Sequence, residues 1–321
     1  MSEVLFLPPA WPLFTALRKT AATILVLAPY IFCYLAASSD PGFVTPANHP
    51  QHMTLYPYDF TIFYPGQSCS TCHLLKPARS KHCSICKHCV AKLDHHCIFI
   101  NNCVGYCNQH WFLLLLLSTA LLTTCATWFG VDLLWNEIMR EFPSLGTSWI
   151  VIFKQSSWSR YFGLWAWALQ NNTRMGAVTL LCMLTGPLIW GLLAYSIYLI
   201  WAGTTTNESM KWSDWQAEML DGYVFKRKLP EDRLRDTNVE STWTRWPVHS
   251  KQIVVRTEDG FPPTGTDGMG VGEWERVWRL ADIENLYDLG FLDNLADVFW
   301  PRYRLHSAEA DDRQVLTTSS P

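Results

Sequence analysis

The sequence predicts an α-helical polytopic membrane protein: a transmembrane helix bundle with a cysteine-rich domain between two of the spans. Three observations predict it. Apolar runs close to the roughly 20 residues that a lipid-spanning helix needs occur at three places along the chain. Eight of the 11 cysteines fall between Cys69 and Cys107. The mean hydropathy is +0.03, near zero although 49% of the 321 residues are hydrophobic, so very apolar runs are averaged with quite polar ones. A net charge of -3 supplies no basic footprint, which argues against nucleic-acid binding.

Residues 1–20 form an N-terminal segment. Its start, "MSEVLFLPPAWPLF", lacks a basic n-region and is broken by prolines, so it does not read as a cleavable signal peptide. The first span covers residues 21–38 and is short but charge-free. The second covers 111–131 and the third 177–201. Pro29 and Pro187 are tolerable inside spans, where neighbouring helices satisfy the freed backbone groups. The alternative, core helices of a soluble protein, suits the first run better than the other two. Residues 132–176 read as a loop, because Lys154, Arg160 and other polar residues interrupt apolar pieces rich in Trp and Tyr, which favour the membrane boundary. Residues 202–321 form a polar C-terminal region. Within it "GFPPTGTDGMGVG" reads as a linker, "EWERVWRLADIENLYDLGFLDNLADVFW" as a patchily amphipathic helical segment, and the end as disordered.

Charge and redox set the expected orientation. Lys76, Arg79, Lys81, Lys87 and Lys92 precede the second span, and basic loops favour the cytosol. Clustered thiols also belong in a reducing compartment. The domain at 39–110 is then cytosolic, 132–176 luminal and 202–321 cytosolic. The sequon at Asn171 would accept glycan and that at Asn207 would not. Arg18 and Lys19 fit this arrangement poorly, since three spans leave them on the luminal side.

The cysteine-rich stretch runs Cys69-x2-Cys72, His82-Cys83-x2-Cys86-x2-Cys89, Asp94-His95-His96-Cys97, then Cys103 and Cys107. Repeated Cys-x2-Cys pairs followed by Cys or His are strong zinc signals, because the short turn aims two sulfurs at one tetrahedral ion. With Cys97 and Cys107 set aside, six cysteines, His82 and one of His95 and His96 complete two closed four-ligand sites. Spacing alone leaves Cys97 evenly divided between metal ligand and nucleophile. A spare cysteine beside an imidazole would be reactive, since the thiolate is the nucleophile and a neighbouring carboxylate such as Asp94 can orient the base. A nucleophile so close to the second span would sit where a fatty acyl chain gains about 0.8 kcal/mol per buried CH2. A rival reading is a membrane-tethered, RING-like zinc module that binds partners; there Cys97→Ala would lose a zinc.

The stretch "CSTCHLLKPARSKHCSICKHCVAKLDHHCIFINNCVGYCNQHWF" resembles the cysteine-rich domain of the Asp-His-His-Cys (DHHC) protein S-acyltransferases, or palmitoyltransferases. "DPG" after the first span, "TTNE" at Thr205 to Glu208 and "NLYDLGFLDNL" at Asn285 to Leu295 look like that family's shorter motifs. "YPYD" and the Cys spacing look most like its fungal Swf-type branch, which acts on SNAREs in the endoplasmic reticulum. The resemblance implies two structural zinc ions, one on Cys69, Cys72, His82 and Cys89, the other on Cys83, Cys86, His96 and Cys103. It implies Cys97 as nucleophile, His95 as base and Asp94 as its orienter, with palmitoyl-CoA as co-substrate and Lys76, Arg79 and Lys81 facing its phosphates. The partners implied are the lipid bilayer and membrane proteins with membrane-proximal cysteines; the location implied is the endoplasmic reticulum membrane, with the Golgi as alternative. Three departures stand out. Ile98-Phe99 replaces the usual Pro-Trp, Cys107 is an extra thiol, and one span rather than two precedes the domain, so residues 1–20 read as the remnant of a first span.

Overall fold

The computed structural model describes residues 2–143, 158–230, 232–264 and 270–300. In chain order the helices are α1 (Ser2–Ala10), α2 (Ala16–Ser38), α3 (His49–Met53), α4 (Gln109–Glu141), α5 (Trp158–Asn171), α6 (Thr173–Trp201), α7 (Thr206–Leu220) and α8 (Phe291–Phe299). The strands are β1 (Phe43–Val44), β2 (Lys81–Cys83), β3 (His88–Val90), β4 (His95–Cys97), β5 (Asn102–Val104), β6 (Val224–Lys228), β7 (Gln252–Arg256) and β8 (Val271–Arg276). Among the described residues, three helices are long and apolar enough to cross a membrane: α2, α4 and α6. The chain forms two compact units, one of residues 1–34 and 112–195, the other of 35–111 and 196–321.

The first unit is helical. α4 has 33 residues, about 50 Å at 1.5 Å per residue, well beyond a hydrocarbon core of about 30 Å. It runs antiparallel to α6, and small residues set the approach. A Cβ on Gly130 would stand 2.0 Å from Thr179 Oγ1, and one on Gly186 would stand 3.5 Å from Thr123 Oγ1. Helix interfaces in lipid depend on such small residues, since apolarity alone does not drive helices together there. Trp190 Nε1 donates to Thr124 Oγ1 at 2.9 Å across the same pair. Arg18, awkward in sequence, donates to Asp132 at 2.8 Å and lies 5.5 Å over the Phe129 ring. The start of α2 is therefore tied to the far part of α4. An apolar cavity of about 530 Å³ lies between Leu25, Val26, Leu122, Ala126, Leu181 and Ile189, among others.

The expected loop at 132–176 is mostly helical where it is described. Residues up to Glu141 continue α4, Trp158–Asn171 form α5, and α6 begins at Thr173; residues 144–157 lie outside the described residues. The polar interruptions in "SRYFGLWAWALQ" fall on one side of α5. Ala168 is buried, and Leu164, Trp165, Trp167 and Leu169 pack into a core with Leu133, Leu134 and Ile138. An amphipathic helix, not a loop, satisfies that pattern.

Among the described residues the second unit holds three small sheets, ordered β1-β3-β2, β4-β5 and β7-β6-β8, all antiparallel. Its core gathers the "YPYDF" segment, with Tyr56, Tyr58 and Phe60 buried beside Trp246 and Tyr287. Backbone groups answer two of the buried polar side chains of this unit. Asp59 Oδ1 accepts the amides of Thr61, Ile62 and Phe63 at 3.0, 3.1 and 2.8 Å. Asn102 Nδ2 donates to the carbonyls of Ala36, Ala37 and Ser39, closing the end of α2.

The helical expectation for the tail is corrected. "VGEWER" is strand β8 paired with β6, Leu280–Asp282 is one 3-10 turn, and only Phe291–Phe299 is α-helical. The exposed Glu273 and Glu275 flank the half-buried Trp274, an alternation that suits a strand. Part of the linker, residues 265–269, and the end expected to be disordered lie outside the described residues.

Candidate active site

The site is built on two knuckled hairpins. In the first, β2 and β3 place His82 opposite Cys89. The turn at Cys69 and Cys72 completes a group of four donors lying within 4.8 Å of one another. Sulfur-to-His82 Nδ1 separations are 3.5 Å for Cys69, 3.3 Å for Cys72 and 4.0 Å for Cys89. In the second, β4 and β5 place His96 opposite Cys103, and Cys83 and Cys86 complete the set. The Nδ1 atom of His96 lies 3.7, 3.4 and 3.6 Å from the sulfurs of Cys83, Cys86 and Cys103. Around a tetrahedral zinc, with bonds of about 2.3 Å to sulfur and about 2.05 Å to nitrogen, those edges would be about 3.6 Å. Both donor sets thus have the chemistry and spacing to hold such an ion.

The β4 pleat then divides the Asp-His-His-Cys run. Successive side chains of a strand point to opposite faces. His96 turns to the metal donors with its cross-strand neighbour Cys103, while His95 and Cys97 share the other face. Asp94 stands at the strand's entrance, with its amide on Val104 O at 2.9 Å. His95 Nδ1 donates to Asp94 Oδ2 at 2.6 Å, which leaves Nε2 as the basic nitrogen. Asp94 is held on both oxygens by α7: Thr206 N donates to Oδ1 at 2.7 Å and Thr206 Oγ1 to Oδ2 at 3.0 Å.

The electrostatics follow from these contacts. Burial pushes the Cys97 thiol up, but a hydrogen bond with His95 and the amides of Ile100 and Phe99 outweigh it and hold the thiol below its ordinary value. Burial would lower His95, yet Asp94 and Cys97 together raise it to about 9. Asp94 is kept below the usual carboxylate range by His95 and Thr206 despite its burial. A thiol, an imidazole and a carboxylate in line, with the thiol favouring its anion, make a nucleophilic site. Cys97 is 7% exposed, while the next two side chains, Ile98 and Phe99, are 76% and 89% exposed.

"TTNE" supplies the support beneath the site. Thr205 caps α7: its hydroxyl accepts from Glu208 N at 3.2 Å, and its amide donates to Glu208 Oε2 at 3.0 Å, a reciprocal capping box. The Thr205 hydroxyl also donates to Leu93 O at 3.3 Å. Arg79, expected to face a phosphate of the co-substrate, is buried. It is 2% exposed, donates from Nε and Nη2 to the Glu208 carboxylate at 2.7 and 2.6 Å, and lies 4.4 Å over the Tyr287 ring. Its third hydrogen bond, to Gly203 O at 3.1 Å, uses a residue at φ 61° where a Cβ would stand 2.5 Å from Tyr287 O, so only glycine fits. Lys81 stays exposed and donates to Asn207 Oδ1 at 2.8 Å. Lys211, which sequence reasoning missed, shares a field with Lys81 and Lys76; burial, partly offset by Glu208 and Asp59, lowers its pKa. No local signal marks Lys211, whereas Thr206 was findable as part of "TTNE".

A model of the DHHC palmitoyltransferase family matches residues 62–213. Palmitoyltransferase SWF1 of Neurospora crassa is 55% identical over 312 residues, covering 94% of this chain and 73% of the relative. Palmitoyltransferase swf1 of Emericella nidulans is 42% identical over 316 residues, covering 93% and 76%. Palmitoyltransferase ZDHHC4 of Mus musculus is 32% identical over 205 residues, covering 60% and 55%.

Proposed function

We propose, on the premise that the chain belongs to the DHHC palmitoyltransferase family, that its protein S-palmitoylation proceeds through an acyl-enzyme on Cys97. The chain is a membrane-embedded protein S-acyltransferase. The observation that carries the reading is the shared face of β4: His95 and Cys97 are together, apart from both donor sets, with Asp94 on His95 Nδ1 at 2.6 Å.

In the first half-reaction the Cys97 thiolate attacks the carbonyl carbon of a long-chain acyl-CoA. The thioester bond to CoA breaks, and the departing thiolate takes the proton held on His95 Nε2. In the second, neutral His95 removes the proton from a cysteine of the protein substrate. That sulfur attacks the acyl-Cys97 carbonyl, and the Cys97 thiolate leaves. Asp94 holds the imidazole in one tautomer throughout and stabilises its charged form.

Two zinc ions would be held by Cys69, Cys72, His82 and Cys89 and by Cys83, Cys86, His96 and Cys103, where they would fix the hairpins without touching substrate. Lys76 and Lys81 are assigned to the phosphates of CoA, with Lys211 beside them; Arg79 instead holds α7 in place. The apolar cavity of about 530 Å³ in the helical unit has the character and size of a long-chain acyl site, within the usual 300–1,000 Å³ or so of ligand pockets.

The exposed Lys81 and Lys87 and the half-buried Lys76, with the thiolate donor sets, support a cytosolic cysteine-rich domain at 39–110 and C-terminal region at 202–321. Spans at 21–38, 111–131 and 177–201 then leave 132–176 luminal. Membrane-proximal cysteines of SNARE-like proteins in the endoplasmic reticulum are the substrates inferred. Glycan on Asn171 tests the orientation. Asn207 cannot serve as its control, being 5% exposed.

The deciding experiment incubates purified protein with labelled palmitoyl-CoA and maps the labelled cysteine. Hydroxylamine-sensitive label is expected on Cys97 and absent from Cys97→Ser, which keeps its full metal content. Undiminished label on that variant would sink the proposal.

A further inference from the structure

The catalytic strand is entered through a residue that the fold holds in an awkward state. Lys92 is 5% exposed and sits at φ 45°, the left-handed region that side-chain-bearing residues avoid. Burial pushes its pKa well down, and the neighbouring Arg79 and Arg245 push the same way. A buried ammonium needs an anion close by, or it destabilises whatever surrounds it. The anion comes from the other end of the sequence. Asp297, on α8 and 2% exposed, accepts Lys92 Nζ on Oδ2 at 2.7 Å and Tyr56 OH on the same oxygen at 2.6 Å. Its Oδ1 takes Arg245. One carboxylate thus answers two buried cations, since Glu208 is already taken by Arg79.

The alternative anion for Lys92 is Asp94, two residues on, whose charge already acts on the ammonium. Asp94 is committed to His95 and Thr206. If the ammonium lost Asp297, it would compete for Asp94, and the turn at Lys92 would lose the contact that fixes its side chain.

The geometry points to Asp297 as a positioning residue for acyl transfer: by neutralising Lys92 it leaves the Asp94 carboxylate to His95 and fixes the turn that presents the catalytic strand. The inference rests on the reading of Cys97 as nucleophile. It makes α8 necessary for the chemistry although nothing on it touches a reacting atom.

The test measures single-turnover acylation of Cys97 by palmitoyl-CoA in the full-length, metal-loaded protein in detergent. Asp297→Asn keeps the shape and removes the charge. It should bind two metal ions per chain and show the same half-saturating palmitoyl-CoA, but acylate at least tenfold more slowly. Adding Lys92→Met removes the stranded charge and should bring the rate to within about threefold of the parent. Parental speed in Asp297→Asn overturns the proposal. So does a metal-loaded double variant no faster than a tenth of the parent, which also decides the matter if the single variant does not fold. Failure of the underlying reading would be seen separately, as palmitate on Cys97→Ser.

Discussion

Replacing Arg79 with Met should damage stability rather than co-substrate binding. Its guanidinium and the Glu208 carboxylate are 2% and 1% exposed and meet through two short hydrogen bonds, at 2.7 and 2.6 Å. Removing one partner of such a pair leaves an uncompensated buried charge, a loss of about 3–5 kcal/mol. Glu208 would retain only the Thr205 amide, so the α7 cap and, through Thr206, the hold on Asp94 weaken together. At about 2–4 °C per kcal/mol for a body of this size, the melting midpoint should fall by roughly 6–20 °C. Arg79→Met combined with Glu208→Gln should lose less than the sum of the two single variants, by about 2 kcal/mol, because the second change removes the stranded charge. The assay is thermal melting of purified protein beside acylation titrated with palmitoyl-CoA. Folded Arg79→Met should show unchanged half-saturation. An unchanged midpoint with a raised half-saturating concentration would restore the phosphate role and refute the argument from burial.

Other outcomes follow from single contacts. Cys103→Ala should lose one metal equivalent per chain, whereas Cys97→Ala keeps both, as read by metal analysis of gel-filtered protein. Asp59→Asn should stabilise the protein above about pH 7. Burial raises the folded-state pKa of Asp59 to about 7 from 3.8, against three backbone amides that lower it. The folded state therefore keeps a proton that the unfolded chain releases, so stability falls as pH rises from about 4 to 7 and stays lower above. The amide keeps an acceptor for the three backbone donors and should flatten that slope by roughly 1–4 kcal/mol. Gly130→Ala drives a methyl into Thr179, whose Oγ1 stands 2.0 Å from the new Cβ position. It should cost about 1–3 kcal/mol, visible as a lower midpoint that Thr179→Ala partly restores.

The three spans were legible because length and apolarity are local properties. Where the helices end was not. Polarity rises after Val131, yet α4 continues to Glu141, because Asp132 is answered by Arg18, 114 residues earlier. The same distance hides the role of Arg79. A cation in a basic stretch looks solvated until Glu208, 129 residues on, closes over it. The family resemblance named the two ligand sets, and the structure brings those same residues together. Spacing alone left Cys97 undecided because strands of three residues are too short to announce their period, and only the pairing with β5 shows which neighbours share a face. The β7-β6-β8 sheet went unread for a related reason: its register depends on partners far along the chain.

The alternation of β4 has a consequence of parity. The metal side and the reactive side of this hairpin are set by counting residues in twos from Cys103. Inserting two residues on each strand would lengthen the ribbon and leave each side's occupants where they are. Inserting one residue between His95 and Cys97 would exchange them, turning Cys97 inward among the clustered cysteines and His96 outward. An ion held there would pin the count: it would penalise any slip of the pairing by an odd number, and so keep in place a sulfur it does not contact.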